Sequence, residues 1–140
     1  MSTPLVNVGA LHLTDIRPFV VEVLAPVEDT DPNVLAGIAD SVTPPALMVG
    51  WDDPWVLPNV PGGLRTMGPC VYQARLRIVC VANRLDPESG HEALEGLVAY
   101  VIDRMGSAWP LERVTEPMQT DMSGVTSLVA SVLYNVPTTI

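Results

Sequence analysis

Apolar and polar positions alternate most regularly over residues 71–82. Tyr72, Ala74, Leu76, Ile78, Cys80 and Ala82 fall on one face of an extended chain, and Gln73, Arg75 and Arg77 on the other. The second face turns apolar at Val79 and Val81, so that end is expected to be covered. A half-solvated antiparallel sheet fits this pattern. Past residue 88 the period changes to that of a helix. Leu94, Leu97, Val98, Val101, Ile102 and Met105 recur at helical spacing, Ser89 with Glu92 has the form of a capping box, and Gly106 stands where a C-terminal cap belongs.

Other segments carry weaker patterns. Residues 1–14 lack a clear period and are expected to form a loose N-terminal arm. Residues 15–25 fit a first helix with Phe19, Val20, Val23 and Leu24 as its stripe, Thr14 or Asp15 as its cap and Pro18 in its first turn. The β-branched content there leaves a strand as the competing reading. Residues 26–45 hold Pro26, Pro32, Pro44 and Pro45 and read as connection, with a short helical turn over residues 33–38. The apolar run Ala46-Leu47-Met48-Val49-Gly50-Trp51 reads as a strand buried on both faces. Residues 52–69 combine Pro54, Pro58, Pro61 and Pro69 with Gly62, Gly63 and Gly68, and are expected to form a long inter-strand loop or hairpin. A short strand over residues 111–116, a turn at residues 122–124 and a long β-branched strand over residues 125–136 close the chain, followed by a short tail. The pattern as a whole predicts one α+β domain over residues 1–140: an antiparallel sheet with two main helices on one face.

Composition narrows the function. Seven Arg and no Lys face sixteen Asp and Glu, a formal charge of −9. Nucleic-acid phosphates are gripped mainly by Lys and Arg, so nucleic-acid binding is disfavoured. No apolar run approaches the ~18 residues of a membrane span, and no leader pattern precedes Arg17, so the chain is expected to stay in a cytoplasm. Cys70 and Cys80 bracket one strand. Ten extended residues span roughly 33 Å, against the ~7 Å that a disulfide tolerates, so the two do not pair across an unbroken strand. His12 and His91 have no zinc-like spacing to a cysteine, and neither a nucleophile elbow nor a phosphate-cradling or dinucleotide motif occurs. The expectation is a protein without catalytic, cofactor-binding or metal-binding residues. Asp52-Asp53 and Glu112/Glu116 read as solvated strand ends, because neighbours on a strand diverge.

What remains distinctive is apolar and backbone-based. Trp and Arg are the residues that most often anchor protein interfaces, and an open sheet edge invites pairing. Trp55, Leu57, Leu64 and Arg65 of the Pro/Gly-rich segment, with Trp109, are therefore candidate contacts to another subunit or partner. Arg75 and Arg77 share a face; they can grip an acidic partner or pair with the chain's own carboxylates.

The order of elements, with the stretches PPALMVGW (residues 44–51) and GVTSLVASVLYNVPT (residues 124–138), resembles the tail terminator proteins of long-tailed bacteriophages, particularly those infecting actinobacteria. The resemblance covers residues 15–140. It implies an antiparallel sheet with helices on one face. It also implies a homo-oligomeric ring, a hexamer in most of the family, in the tail and neck of the virion. The ring would cap the tail tube, stop its growth and offer a surface to the head-side connector or stopper protein. DNA would pass through its lumen without specific binding, which an acidic chain favours. A head–tail stopper or another tail-completion protein is the nearest alternative. A small ligand-binding or regulatory α+β domain, with a deep apolar pocket, is the alternative from another class.

Overall fold

The computed structural model describes residues 10–39, 42–58, 72–83, 87–122 and 125–139. In chain order these form β1 (Leu11–His12), α1 (Leu13–Leu24), β2 (Asn33–Leu35), β3 (Ala46–Pro58), β4 (Tyr72–Asn83), α2 (Pro87–Met105), β5 (Leu111–Val114), β6 (Met118–Met122) and β7 (Val125–Thr139). The fold is α+β. Its sheet runs β1-β7-β4-β3-β2, with β5 and β6 also paired to β7.

The long neighbours β3, β4 and β7 are antiparallel, as the alternation over residues 71–82 predicts, and β5 and β6 pair with β7 in the same sense. The sheet is nevertheless mixed rather than antiparallel throughout. β1 lies parallel to the end of β7, and β2 lies parallel to the start of β3. Two- and three-residue strands carry no readable alternation, so their direction is set by where the connections return them. The expected loose arm is thus tied down at its end: Leu11 and His12 pair with Thr138 and Thr139, and the Thr138 hydroxyl donates to the Leu11 carbonyl at 2.8 Å. The same pairing draws the expected C-terminal tail into β7 as far as Thr139.

Both helices cover one face of the sheet. Ile16, Val20 and Leu24 of α1, at four-residue spacing, share a core with Leu94, Leu97, Val101 and Met105 of α2. Beneath them lie Leu47 and Val49 of β3, Ala74, Leu76, Ile78, Cys80 and Ala82 of β4, and the alternate residues Leu128–Val136 of β7. α1 begins at Leu13, with His12 as its N-cap and no side-chain cap bond, so neither Thr14 nor Asp15 caps it. Pro18 consequently falls in its second turn, and Phe19 and Val23 flank the buried stripe instead of forming it. α2 begins before Ser89, which places Ser89 and Glu92 inside the helix, while Gly106 ends it at φ 52°, its N–H donating to the Ile102 carbonyl at 3.0 Å.

On the opposite face the described residues form a second apolar cluster at one end. Met48 and Val81 are packed there with Leu35, Ala39, Val42, Val79 and Val129, which is the cover that Val79 and Val81 require. The expected helical turn over residues 33–38 is instead β2, because pairing with Ala46–Met48 satisfies its backbone. The strand of residues 46–51 continues through the expected loop to Pro58, with Val56, Leu57 and Pro58 paired to Ala74, Gln73 and Tyr72. Residues 59–69 of that expected loop lie outside the described residues. β6 takes in residues 118–121, for which the sequence pattern predicts no element, and Met122 of the expected turn, held by its ladder to Val125–Val129.

Candidate interaction surfaces

Beyond that cluster, the described residues of the sheet's outer face are organised around Arg75. Two irregularities flank it. In β3 the register passes from Trp51↔Leu76 to Val56↔Ala74, so residues 52–55 oppose Arg75 alone. In β5 it passes from Leu111↔Tyr134 to Arg113↔Leu133, leaving Glu112 as the extra residue. Bulges re-aim side chains. Here they turn Asp52 and Glu112 towards Arg75 from opposite sides. Arg75 donates from Nε and Nη2 to the two oxygens of Glu112 at 3.3 and 2.9 Å, and from Nη1 to the Asp53 carbonyl at 3.1 Å. Its Nη2 also lies 3.1 Å from Asp52 Oδ2, a contact of charges without hydrogen-bond geometry. Arg77 joins the row, with Nη1 3.5 Å from Asp52 Oδ1 and Nε donating to the Ser131 hydroxyl at 2.8 Å.

This row settles what the two arginines do within the fold: they pair with the chain's own acids. It also corrects the reading of Asp52 as a solvated strand end. The side chains of Arg75, Asp52 and Glu112 keep only 14%, 11% and 21% of their exposure. The hydrogen bond from Arg75 to Glu112, ahead of the charges of Glu112, Asp52 and Asp53, raises the arginine pKa against the opposing effect of burial. Asn135, the register partner of Arg75 on β7, buries its amide oxygen here without a hydrogen bond.

The apolar candidates divide. Trp109 is not an exposed anchor: it is 4% exposed and meets Phe19 edge-on, ring centroids 5.7 Å apart, closing the core between α1 and the end of α2. Trp55 is 49% exposed and lies against Trp51, with centroids 5.6 Å apart. Leu57 is half-buried on β3. Leu64 and Arg65 lie outside the described residues.

Trp55 stands at one edge of a cleft of about 570 Å³, lined also by Trp51, Gly50 and Val49 of β3, Leu13, Thr14 and Arg17 of α1, and Gly37 and Ile38. The Ile38 side chain packs directly on Gly50: a Cβ there would meet Ile38 Cγ1 at 2.5 Å, so a larger residue would displace Ile38. A second groove, of about 360 Å³, lies at the other edge of the sheet. Leu94, Glu95, Val98, Ala99 and Ile102 of α2 form one wall, and Val114, Thr115, Pro117 and Ala130 the other.

Sequence reasoning missed the exposed residues of this second flank. Leu111, Val114 and Met118 are exposed on or beside it, and Ile102, assigned by its spacing to the buried stripe of the helix, is exposed as well. Met118, apolar between Pro117 and Gln119, was the available signal. Cys80 is a free, buried thiol whose pKa burial pushes up to about 12, the environment of an inert packing residue. Among the described residues no group of three or more His, Cys, Asp or Glu is placed to hold a metal ion, and no helix is long and apolar enough to cross a membrane. Compared with known proteins, the chain matches no family model and no curated protein.

Proposed function

We propose that this chain is the tail terminator of a long-tailed bacteriophage, a ring-forming virion protein that caps the tail tube and joins it to the head-side connector. The observation that carries the reading is the distribution of exposed apolar side chains. Trp55 of β3 and Ile38 after β2 line one cleft, Ile102 of α2 and Val114 of β5 line the other groove, Leu111 and Met118 are exposed on β5 and β6, and Val27, after α1, is exposed but lines neither. Exposed apolar clusters mark surfaces that other proteins cover. The two stretches that carry the family resemblance build β3 and β7, the strands on either side of β4.

The role asks for no catalytic step. A tube grows because each ring presents the surface that the next ring binds. A ring that matches the tube on one side and differs on the other ends the growth. Net negative charge suits a collar through which DNA passes without sticking.

The test is negative-stain electron microscopy of the purified protein, alone and with its tail tube subunit. Closed rings, or rings seated at one end of tubes of fixed length, are expected. Particles that stay small and never bind the tube refute the proposal.

A further inference from the structure

The cleft beside α1 reverses the charge balance of the chain around it. The protein carries sixteen Asp and Glu against seven Arg, yet Arg17 is the one charged residue lining this cleft. Among the described residues Arg17 is also the one arginine without an ion pair. Arg75, Arg77, Arg104 and Arg113 each lie within 3.6 Å of a carboxylate oxygen. Arg17 instead donates from Nη1 to the Ala36 carbonyl, which fixes its guanidinium and leaves Nε and Nη2 without a partner among the described residues. Those two atoms form the edge with which Arg75 grips both oxygens of Glu112. The second groove is the opposite case, since its one charged lining residue is Glu95.

We propose that this cleft is a binding site for a small carboxylate with a planar apolar body, its carboxylate on Arg17 and its ring against Trp55. The inference goes beyond the ring reading and does not depend on it. Size, lining and charge select this ligand. The volume of about 570 Å³ lies in the range of small-molecule sites, roughly 300–1,000 Å³. Apart from Arg17 and the Thr14 hydroxyl, the lining side chains are apolar, which suits a ligand whose charge is confined to one end. Trp55 rests on Trp51 with centroids 5.6 Å apart and planes at 32°, and keeps 49% of its exposure, so an aromatic face is open to a stacked ring. The free Nε and Nη2 edge of Arg17 matches the two oxygens of a carboxylate. An uncharged amide of the same shape offers neither the charge nor the second acceptor oxygen.

Titration of the purified protein with naphthoate tests the site, read from the indole N–H signals of the three tryptophans in heteronuclear NMR spectra. The signals of Trp51 and Trp55 are expected to shift saturably, and that of Trp109, buried against Phe19, to stay in place. Naphthamide, the same body without the charge, should bind about tenfold more weakly. Arg17→Met should bring the two compounds to within about twofold of each other while the naphthamide affinity is kept, and Arg17→Lys should retain part of the preference. Trp55→Ala should weaken both compounds alike.

Absence of a saturable shift with naphthoate, equal affinity for the acid and the amide, or loss of both compounds in Arg17→Met overturns the site. A tail tube subunit that shifts the Trp51 and Trp55 signals when naphthoate does not also overturns it, because the cleft then belongs to a protein partner. The two readings fail separately. Naphthoate bound by a protein that never caps tubes sinks the ring reading alone, and rings on tubes with a cleft that ignores naphthoate sink this site alone.

Discussion

Arg75 is the residue whose removal should be felt furthest across the sheet. Arg75→Met keeps an apolar stem and deletes the guanidinium. The loss comprises both bonds to Glu112, the bond to the Asp53 carbonyl and the 3.1 Å contact with Asp52. Exposed ion pairs contribute about 0.2–1 kcal/mol, whereas breaking a fully buried pair costs about 3–5 kcal/mol. With 14%, 11% and 21% of their side-chain exposure retained, Arg75, Asp52 and Glu112 stand nearer the second case. Allowing for residual solvent screening, the expected cost is about 2–3 kcal/mol, or a fall in Tm of roughly 6–9 °C for a chain of this length. Urea denaturation followed by circular dichroism should show a lower midpoint with the slope unchanged. Much of the cost comes from two carboxylates left uncompensated on one face. Adding Asp52→Asn and Glu112→Gln should therefore bring the triple variant to within about 1 kcal/mol of the parent. A cost for Arg75→Met below about 0.5 kcal/mol, or a triple variant no more stable than the single one, would refute this account of the row.

Three further perturbations separate buried from exposed chemistry. Trp109→Ala should destabilise the monomer by about 3–5 kcal/mol, because a large core ring is lost, whereas Trp55→Ala should cost under about 1 kcal/mol; thermal melts of both decide it. Asp31 accepts hydrogen bonds from the N–H groups of Val27 and Glu28 at 2.9 and 3.0 Å and lies 3.3 Å from Arg104 Nη2. The Val27 bond first, then that of Glu28, hold its pKa below the ordinary 3.8, with Arg104 adding to them against desolvation. A depressed acid stabilises the fold above its unfolded pKa and loses that contribution as pH falls through the folded value. The Tm gap between the parent and Asp31→Asn should accordingly hold at neutral pH and close below about 3.8; a gap unchanged down to pH 2 contradicts the ionic explanation. Finally, a Cys70→Ser protein should not react with a thiol reagent at pH 8 until denatured, because burial holds the Cys80 thiol protonated up to about 12.

The elements that could be read in the sequence are those whose stability follows from their own side-chain period. β4 shows its two faces because every core-facing residue from Ala74 to Ala82 is apolar and Arg75 and Arg77, on the other face, intervene. α2 shows its stripe over three turns. β7 shows β-branched density along most of its length. β1 and β2 had no such signal: Asn33, Val34 and Leu35 become a strand because β3 is there to pair with, and nothing local specifies it. The same holds for Leu11 and His12 against Thr138 and Thr139. Tertiary pairing also explains why α1 starts at Leu13 without a capping side chain, since β1 already fixes the preceding residue.

The surfaces were less legible, for a related reason. Trp55 and Trp109 are equivalent in composition, each next to a proline, yet one projects from an irregular edge and the other fills the gap between two helices. Only the packing around a tryptophan tells these apart. Glu112 offered no hint that it reaches Arg75, because an extra residue in β5 moves it to the other face, and alternation rules assume that no residue is extra. Once Asp52 and Glu112 are drawn in, the arginines that looked most available for an acidic partner are largely committed within the chain. At the margins of that row, Arg113, whose Nε lies 3.6 Å from Glu112, and Asp53, whose carbonyl accepts from Arg75, keep exposed side chains. Interface chemistry in this fold is therefore expected where the sheet ends, on side chains that its own network leaves exposed.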